Sequence, residues 1–127
     1  MIDIAIVEKD ESIREQIINL IGKQRSDCRI ISMAGEELLR AKQSFHIIFM
    51  ENGLAEKKNR KTARTLRKRQ KDMVLVFLTG KKESDDDMAT VHYLWKPVEE
   101  KAFGEVFERA VLEAERRKIL GRGFRYK

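Results

Sequence analysis

The chain has 127 residues, of which 42% are hydrophobic and 38% are charged, with one cysteine and one proline. This length suits one compact domain that folds without disulfide or metal staples. One cysteine excludes an internal disulfide framework, and no apolar run approaches the roughly 18 residues of a membrane span. The first residues, Met1-Ile2-Asp3, do not read as a signal peptide. We therefore expect a soluble, cytoplasmic domain that makes no membrane contact.

The positive charge of the chain is concentrated in one stretch. The formal net charge is +6, and residues 57–71 hold nine lysines and arginines and no acid, so the rest of the chain carries −3. Such a stretch forms either a solvated helix face or a surface that binds nucleic acid or an acidic partner. Few aromatic residues lie among these cations to stack on bases, which favours the solvated face.

Short apolar runs alternate with helical patterns along the whole chain. This alternation predicts a parallel sheet that is covered on both faces by right-handed crossovers. An acidic run at 83–87 allows at most a short helix before the last strand. In chain order the pattern predicts a strand at 2–7, a helix whose start is capped by Asp10 or Ser12, a strand at 28–33, a short helix at 36–42 and a strand at 45–50. A basic helix at about 60–71, strands at 73–78 and 91–95, and a last helix follow, the last with Phe103, Val106, Phe107, Ala110, Val111 and Ala114 at helical spacing.

The end of the chain has a different pattern. Residues 121–127 have lost the helical period, and their alternating apolar and basic side chains look like a strand cut short. We therefore expect one domain over residues 1–118. Residues 119–127 are then the start of a linker to a further C-terminal output domain.

Polar side chains stand where four of the predicted strands end. Glu8 and Lys9 follow the first strand, Glu51 the third, Thr79 the fourth and Lys96 the fifth. In an open parallel sheet, ligands bind at the carboxyl ends of the strands, near the point where the strand order reverses. Acids, a hydroxyl and a lysine at such ends are typical of a phosphoryl-accepting site, in which one carboxylate is the nucleophile and others hold a divalent cation.

With these strand ends, the chain resembles the receiver domains of bacterial two-component response regulators, in particular those that precede LytTR-type DNA-binding domains. The resemblance covers residues 1 to about 118. It rests most on residues 93–98, because a lysine-proline after the fifth strand is nearly a signature of the family. Residues 4–7, 34–39, 47–50 and 76–79 match as well. The implied fold is α/β: a flavodoxin-like, doubly wound sheet of five parallel strands in the order 2-1-3-4-5, with helices on both faces.

The resemblance also assigns roles to the residues at the strand ends. Glu51 stands at the phosphoacceptor position, where the family has aspartate. Glu8 and Lys9 stand where the family has two acids that help to hold magnesium. The switch threonine or serine, the aromatic switch and the conserved lysine are matched by Thr79, Tyr93 and Lys96.

Two of these positions depart from the family in their chemistry. Lys9 puts a cation where a carboxylate would face Mg²⁺, which removes a ligand and adds repulsion. Glu51 is one methylene longer than aspartate, so its carboxylate reaches into the space of the phosphoryl group. We interpret the site as self-paired, with Glu8 and Glu51 neutralised by Lys9 and Lys96 and no metal. The other interpretation is a decayed site whose four charges are simply solvated.

The sequence therefore predicts an atypical receiver, or pseudo-receiver, that acts as a signalling and interaction module in transcription regulation rather than as an enzyme. It would need no cofactor, and its Mg²⁺ binding would be weak or lost. The resemblance implies a histidine kinase or another signalling protein as partner, and DNA bound through a C-terminal domain beyond Lys127. Two alternatives remain: a functional phosphorelay receiver, and a nucleic-acid-binding module that uses residues 57–71.

Aromatic and charged residues near the last strand predict a homodimer. Tyr93 and Trp95 share one side of that strand by alternation, and exposed aromatic side chains often mark an interface. Arg109, Arg116 and Arg117 on the last helix complement the acidic run 83–87 of a second copy. We expect this contact to form without phosphorylation, because Glu51 already places a negative charge at the acceptor position.

Overall fold

The structure, a computed structural model, describes residues 1–51, 57–80 and 91–125. Strands and helices alternate along the chain except between the last two strands, where residues 81–90 lie outside the described residues. The strands are β1 (Ile2–Val7), β2 (Cys28–Ser32), β3 (Ile47–Glu51), β4 (Val74–Thr79) and β5 (Val91–Trp95). The helices are α1 (Glu11–Gln24), α2 (Gly35–Arg40), α3 (Lys57–Arg69) and α4 (Glu100–Arg125).

The five strands form one parallel sheet in the order β2-β1-β3-β4-β5. The predicted flavodoxin-like order is therefore confirmed. From β1 the chain proceeds outward to β2 on one side and then returns to β3 on the other side. The strand order thus reverses between β1 and β3, which is where open sheets of this kind form a crevice at their carboxyl edge.

Two apolar layers hold the helices on the two faces of this sheet. Ile4 and Ile6 of β1 point into the layer shared with α1 and α4, whereas Ala5 and Val7 point into the layer shared with α2 and α3. All six positions of β4 are buried, as predicted for a strand covered on both faces.

Three phenylalanine rings join β3 to α4 in the first layer. The centroid of Phe49 lies 5.9 Å from that of Phe103 and 6.3 Å from that of Phe107. The centroids of Phe103 and Phe107 are 5.4 Å apart. All three side chains are buried, and such ring pairs contribute packing energy beyond the area they bury.

The start of α1 is fixed by Asp10, one of the two predicted caps. Its Oδ1 accepts hydrogen bonds from the backbone N of Ser12 at 2.9 Å and of Ile13 at 3.3 Å. Two backbone donors that the helix leaves without a partner are thereby satisfied. The cap also fixes the short turn that carries Glu8 and Lys9.

The observed boundaries correct the prediction in two places. The basic helix α3 begins at Lys57, about three residues earlier than predicted, and ends at Arg69. The expected strand-like tail is wrong over its described part, because α4 continues as a helix to Arg125. Once a helix is nucleated each further residue adds a hydrogen bond, so two glycines at about 1 kcal/mol each do not end it. The predicted short helix at 83–87 lies outside the described residues.

Candidate functional site at the carboxyl edge of the sheet

Three charged side chains from three strand ends meet at the carboxyl edge of the sheet. The Nζ of Lys96 lies 2.5 Å from Oε1 of Glu8 and 3.7 Å from Oε1 of Glu51. The side chain of Glu8 is 1% exposed, and those of Lys96 and Glu51 are each 21% exposed. One ammonium is therefore shared between two carboxylates in a largely water-excluded place, where charge pairs interact more strongly than in water.

The backbone around Lys96 is tied to two other elements. The N–H of Lys96 donates to the carbonyl of Thr79 at 2.8 Å, and Thr79 itself is buried. The peptide bond between Lys96 and Pro97 is cis. One residue further, the carbonyl of Val98 accepts a hydrogen bond of 2.7 Å from Nε2 of Gln16 in α1. These contacts to β4 and α1 direct the lysine across the sheet edge toward Glu8.

The turn between β1 and α1 is folded back on itself around Glu8. The backbone N of Asp10 donates to Oε2 of Glu8 at 3.3 Å. The Nη1 of Arg14 donates to the carbonyls of Glu8 at 2.7 Å and Lys9 at 2.9 Å. The buried carboxylate is thus oriented by its own turn and neutralised by Lys96.

At the end of β3, Asn59 holds the backbone of Glu51. Its Nδ2 donates to the carbonyl of Glu51 at 3.0 Å, and the residue is buried. Gly35 at the start of α2 approaches it closely, since a Cβ at that position would lie 3.1 Å from Oδ1 of Asn59. The close packing of α2 on α3 here leaves no room for a side chain at position 35 unless Asn59 shifts.

Lys9 occupies a different place from Lys96. Its side chain is exposed and lies on the wall of a cavity of about 420 Å³ at the crevice between the ends of β1, β2 and β3. Glu51 and Asn59 line the same cavity, as do Arg14 and Ser32. The structure therefore brings the four predicted charges to one edge, with Lys96 between the two carboxylates and Lys9 at the rim.

The side chains at this edge do not fit the magnesium site that the resemblance implies. Mg²⁺ requires a near-octahedral set of oxygen ligands. Over residues 1–51, 57–80 and 91–125, no group of three or more histidine, cysteine or acidic residues is arranged to hold a metal. The two carboxylates face Lys96, and the next acid along, Asp10, caps α1.

The remaining predicted residues lie around the edge strand β5. Tyr93 is half-buried and packs against Phe77 of β4, with ring centroids 6.0 Å apart, in the layer of α2 and α3. Trp95 is 44% exposed, and Arg109 and Arg116 are exposed on α4, which covers the opposite face. The predicted contact surface therefore wraps around the sheet edge. The prediction for Arg117 is wrong, because its side chain is 18% exposed and makes its contacts within the domain. The acidic run 83–87 lies outside the described residues.

Several structural residues were not predicted from the sequence. Asn59 had one weak signal, an uncharged polar side chain in the first turn of an otherwise cationic helix. Arg14 lies in the first part of α1, and nothing in the sequence pattern indicates that it donates hydrogen bonds to the carbonyls between β1 and α1. The third case is a cluster of three side chains that joins β5 to α4. Nε2 of His92 lies 2.5 Å from Oε2 of Glu113, and Nη2 of Arg117 donates to Oε1 of Glu113 at 2.6 Å.

The cluster of His92, Glu113 and Arg117 also anchors the loop before β4. Nη1 of Arg117 donates to the carbonyls of Lys71 at 2.8 Å and Met73 at 3.2 Å. Burial raises the pKa of Glu113, but the hydrogen bonds and positive charges of His92 and Arg117 outweigh it and hold that pKa below its usual value. The i, i+4 spacing of Glu113 and Arg117 was the only signal in the sequence.

Solved structures with this architecture identify the fold. The response regulatory domain of protein mrkE from Klebsiella pneumoniae superposes with a TM-score of 0.77 at 18% identity, over 90% of this chain and 98% of that one. The chain has the receiver fold. A two-component transcriptional regulator AraC from Clostridium phytofermentans ISDg gives a TM-score of 0.75 at 14% identity, over 94% of this chain and 99% of that one.

The receiver fold also occurs in structures with other names. One called adenylate cyclase, from Rhodopirellula baltica, gives a TM-score of 0.82 at 16% identity over 98% of both chains. No protein-family model and no curated protein matches the sequence. At these identities the likeness establishes the architecture, and a function has to be argued from the site. In the described part of the chain no helix is long and apolar enough to cross a membrane.

Proposed function

We propose that this chain is an atypical receiver domain of a two-component response regulator, which works as a protein-interaction module without aspartyl phosphorylation. The observation that carries the proposal is the position of Lys96 between the carboxylates of Glu8 and Glu51. In this arrangement both acids are paired with one cationic side chain of the domain itself. Within this proposal the domain acts as a signalling module rather than as an enzyme.

The electrostatics of the site support this proposal. Lys9 adds a second cation to the edge at which the family holds Mg²⁺, so a divalent ion would meet two ammonium groups and two carboxylates that are already paired with Lys96. Removing Glu8 from this pairing would be costly because its side chain is almost wholly buried. The paired state is thus favoured over metal binding.

We predict that millimolar Mg²⁺ leaves the tryptophan fluorescence and the melting temperature of the domain unchanged. Lys9→Asp removes the rim cation and supplies an oxygen ligand, so this variant should gain measurable Mg²⁺ affinity and a higher melting temperature in Mg²⁺. Lys101→Asp, the same change at an exposed position of α4, is the control and should gain neither. Micromolar Mg²⁺ affinity in the unmodified chain would contradict the proposal.

The partners of the domain follow from the same proposal. A histidine kinase or another signalling protein in the cytoplasm would contact the domain, and a C-terminal domain of LytTR type would bind DNA and regulate transcription. These partners rest on the sequence resemblance. The coding sequence that follows Lys127 tests the second of them.

We further predict a phosphorylation-independent homodimer around the edge strand β5. Sedimentation at tens of micromolar should detect a dimer that Trp95→Ala weakens by about 2 kcal/mol or more, because a half-exposed tryptophan at an interface centre is typically a hot spot. Ile18→Ala on α1, also an exposed large apolar residue, is the matched control and should leave the dimer unchanged. A monomer at every concentration would exclude this contact.

A further inference from the structure

The helix α3 presents a basic surface to solvent that the proposed function does not use. Its buried residues are small or uncharged, namely Asn59, Thr62, Ala63 and Leu66. The cations lie on the remaining sides: Lys61, Arg64, Lys68 and Arg69 are exposed, and Arg60 and Arg67 are half-buried. The basic stretch of the sequence therefore becomes the outer face of one helix.

The exposed cations are aligned along the helix axis. Lys61, Arg64 and Lys68 follow i, i+3 and i+7 spacing, which places them in one stripe that extends for about 10 Å at a rise of 1.5 Å per residue. Lys71 lies two residues beyond the end of the helix and is also exposed. None of the ion pairs found in the described part of the chain involves Lys61, Lys68 or Lys71.

The surface extends beyond α3 to the end of α2. Nη1 of Arg69 donates to the carbonyl of Leu39 at 2.7 Å, which holds the C-terminal ends of α2 and α3 together. Arg40 and Lys42, both exposed, lie just after Leu39 in the chain. Cations from two elements thus form one surface, which we call the α3 basic face.

The chemistry of this face distinguishes between possible anionic partners. The exposed large apolar residues of the described chain are Met1, Ile18, Trp95 and Leu112, and none of them lies on α2 or α3. A specific protein interface needs an apolar or aromatic centre, and a membrane-binding helix needs exposed apolar side chains to insert. Most of the exposed charged side chains of the face are cations, with Asp72 as an acid at its edge, and cations are what contact with a phosphate backbone requires.

We propose that the α3 basic face binds the phosphate backbone of double-stranded nucleic acid without sequence preference. A duplex fits better than a single strand, because the face carries no aromatic side chains on which unstacked bases could stack. Outside residues 57–71 the chain carries a net charge of −3, so the attraction is strongest at this face. Binding here is independent of Lys96 and of the site at the sheet edge.

The test is the salt dependence of binding of the full chain to labelled duplex DNA of two unrelated sequences. In the unmodified chain the affinity should fall steeply with added salt and be equal for both sequences. The triple variant Lys61→Gln, Lys68→Gln, Lys71→Gln should bind more weakly, and the slope of log affinity against log salt should drop by about 0.9 for each phosphate that the variant no longer neutralises. All three positions are exposed, so folding should be unaffected.

The matched control removes three exposed cations elsewhere, with Lys23→Gln, Arg29→Gln and Lys101→Gln, so both triple variants carry the same net charge. The proposal expects this control to keep the slope of the unmodified chain. Equal reductions in the two variants would overturn it, since net charge alone would then explain the binding. Absence of binding at low salt would also overturn it, as would equally tight binding to polyglutamate or to anionic vesicles, which would assign the face to an acidic protein or a membrane.

Discussion

Replacing Lys96 with methionine is expected to lower the free energy of unfolding by about 3 kcal/mol at pH 7. The side chain of Glu8 is 1% exposed and lies 2.5 Å from the ammonium, so the variant leaves a carboxylate in a site that excludes water. The shape of the side chain is largely retained, and the destabilisation is therefore electrostatic. Urea unfolding followed by circular dichroism measures it.

Two further variants distinguish a buried charge from a packing defect. Adding Glu8→Gln to Lys96→Met removes the uncompensated carboxylate and should restore most of the original stability. Lys23→Met breaks an exposed pair with Glu100, 3.6 Å apart, and should cost less than about 0.5 kcal/mol. If Lys96→Met is as mild as this control, the lysine does not neutralise the site.

Phe107→Ala is expected to cost about 4 kcal/mol of unfolding free energy, because it removes a fully buried ring that touches two others. The cavity would open between α4 and β3, and the rigid sheet limits how far the helix can collapse into it. Leu112→Ala on the same helix is the control: that side chain is 54% exposed, so its removal should stay within about 0.5 kcal/mol. Equal effects of the two variants would show that the three rings are not a stabilising core.

The sheet could be predicted from the sequence because each buried strand leaves an apolar run, and these runs recur along the chain. Alternating apolar runs and helical patterns indicated five parallel strands, and the continuous apolar run of β4 indicated a strand covered on both faces. The tail could not be predicted in this way. Periodicity reports which residues pack, whereas a helix can continue on backbone hydrogen bonds where the apolar period has ended, as α4 does to Arg125.

The candidate site was predictable where it depends on topology. Glu8, Glu51 and Lys96 stand at the ends of strands, and a parallel sheet brings such ends to one edge whatever the helices do. Asn59 and the group of His92, Glu113 and Arg117 depend instead on how individual helices rotate against the sheet. Pairs such as His92 and Glu113, 21 residues apart, leave no spacing signal, so only the structure could reveal them.

Intact mass after incubation with a small-molecule phosphodonor and Mg²⁺ tests most directly whether the site works without phosphorylation. The unmodified chain is expected to keep its mass, because Lys96 is paired with both carboxylates and Lys9 opposes the metal. The double variant Lys9→Asp, Glu51→Asp restores the acids of the family and should gain one phosphoryl group. Its gain shows that the phosphodonor is active under the conditions of the assay. Stoichiometric gain of a phosphoryl group by the unmodified chain, abolished by Glu51→Gln, would contradict the proposed function and identify a working phosphorelay receiver.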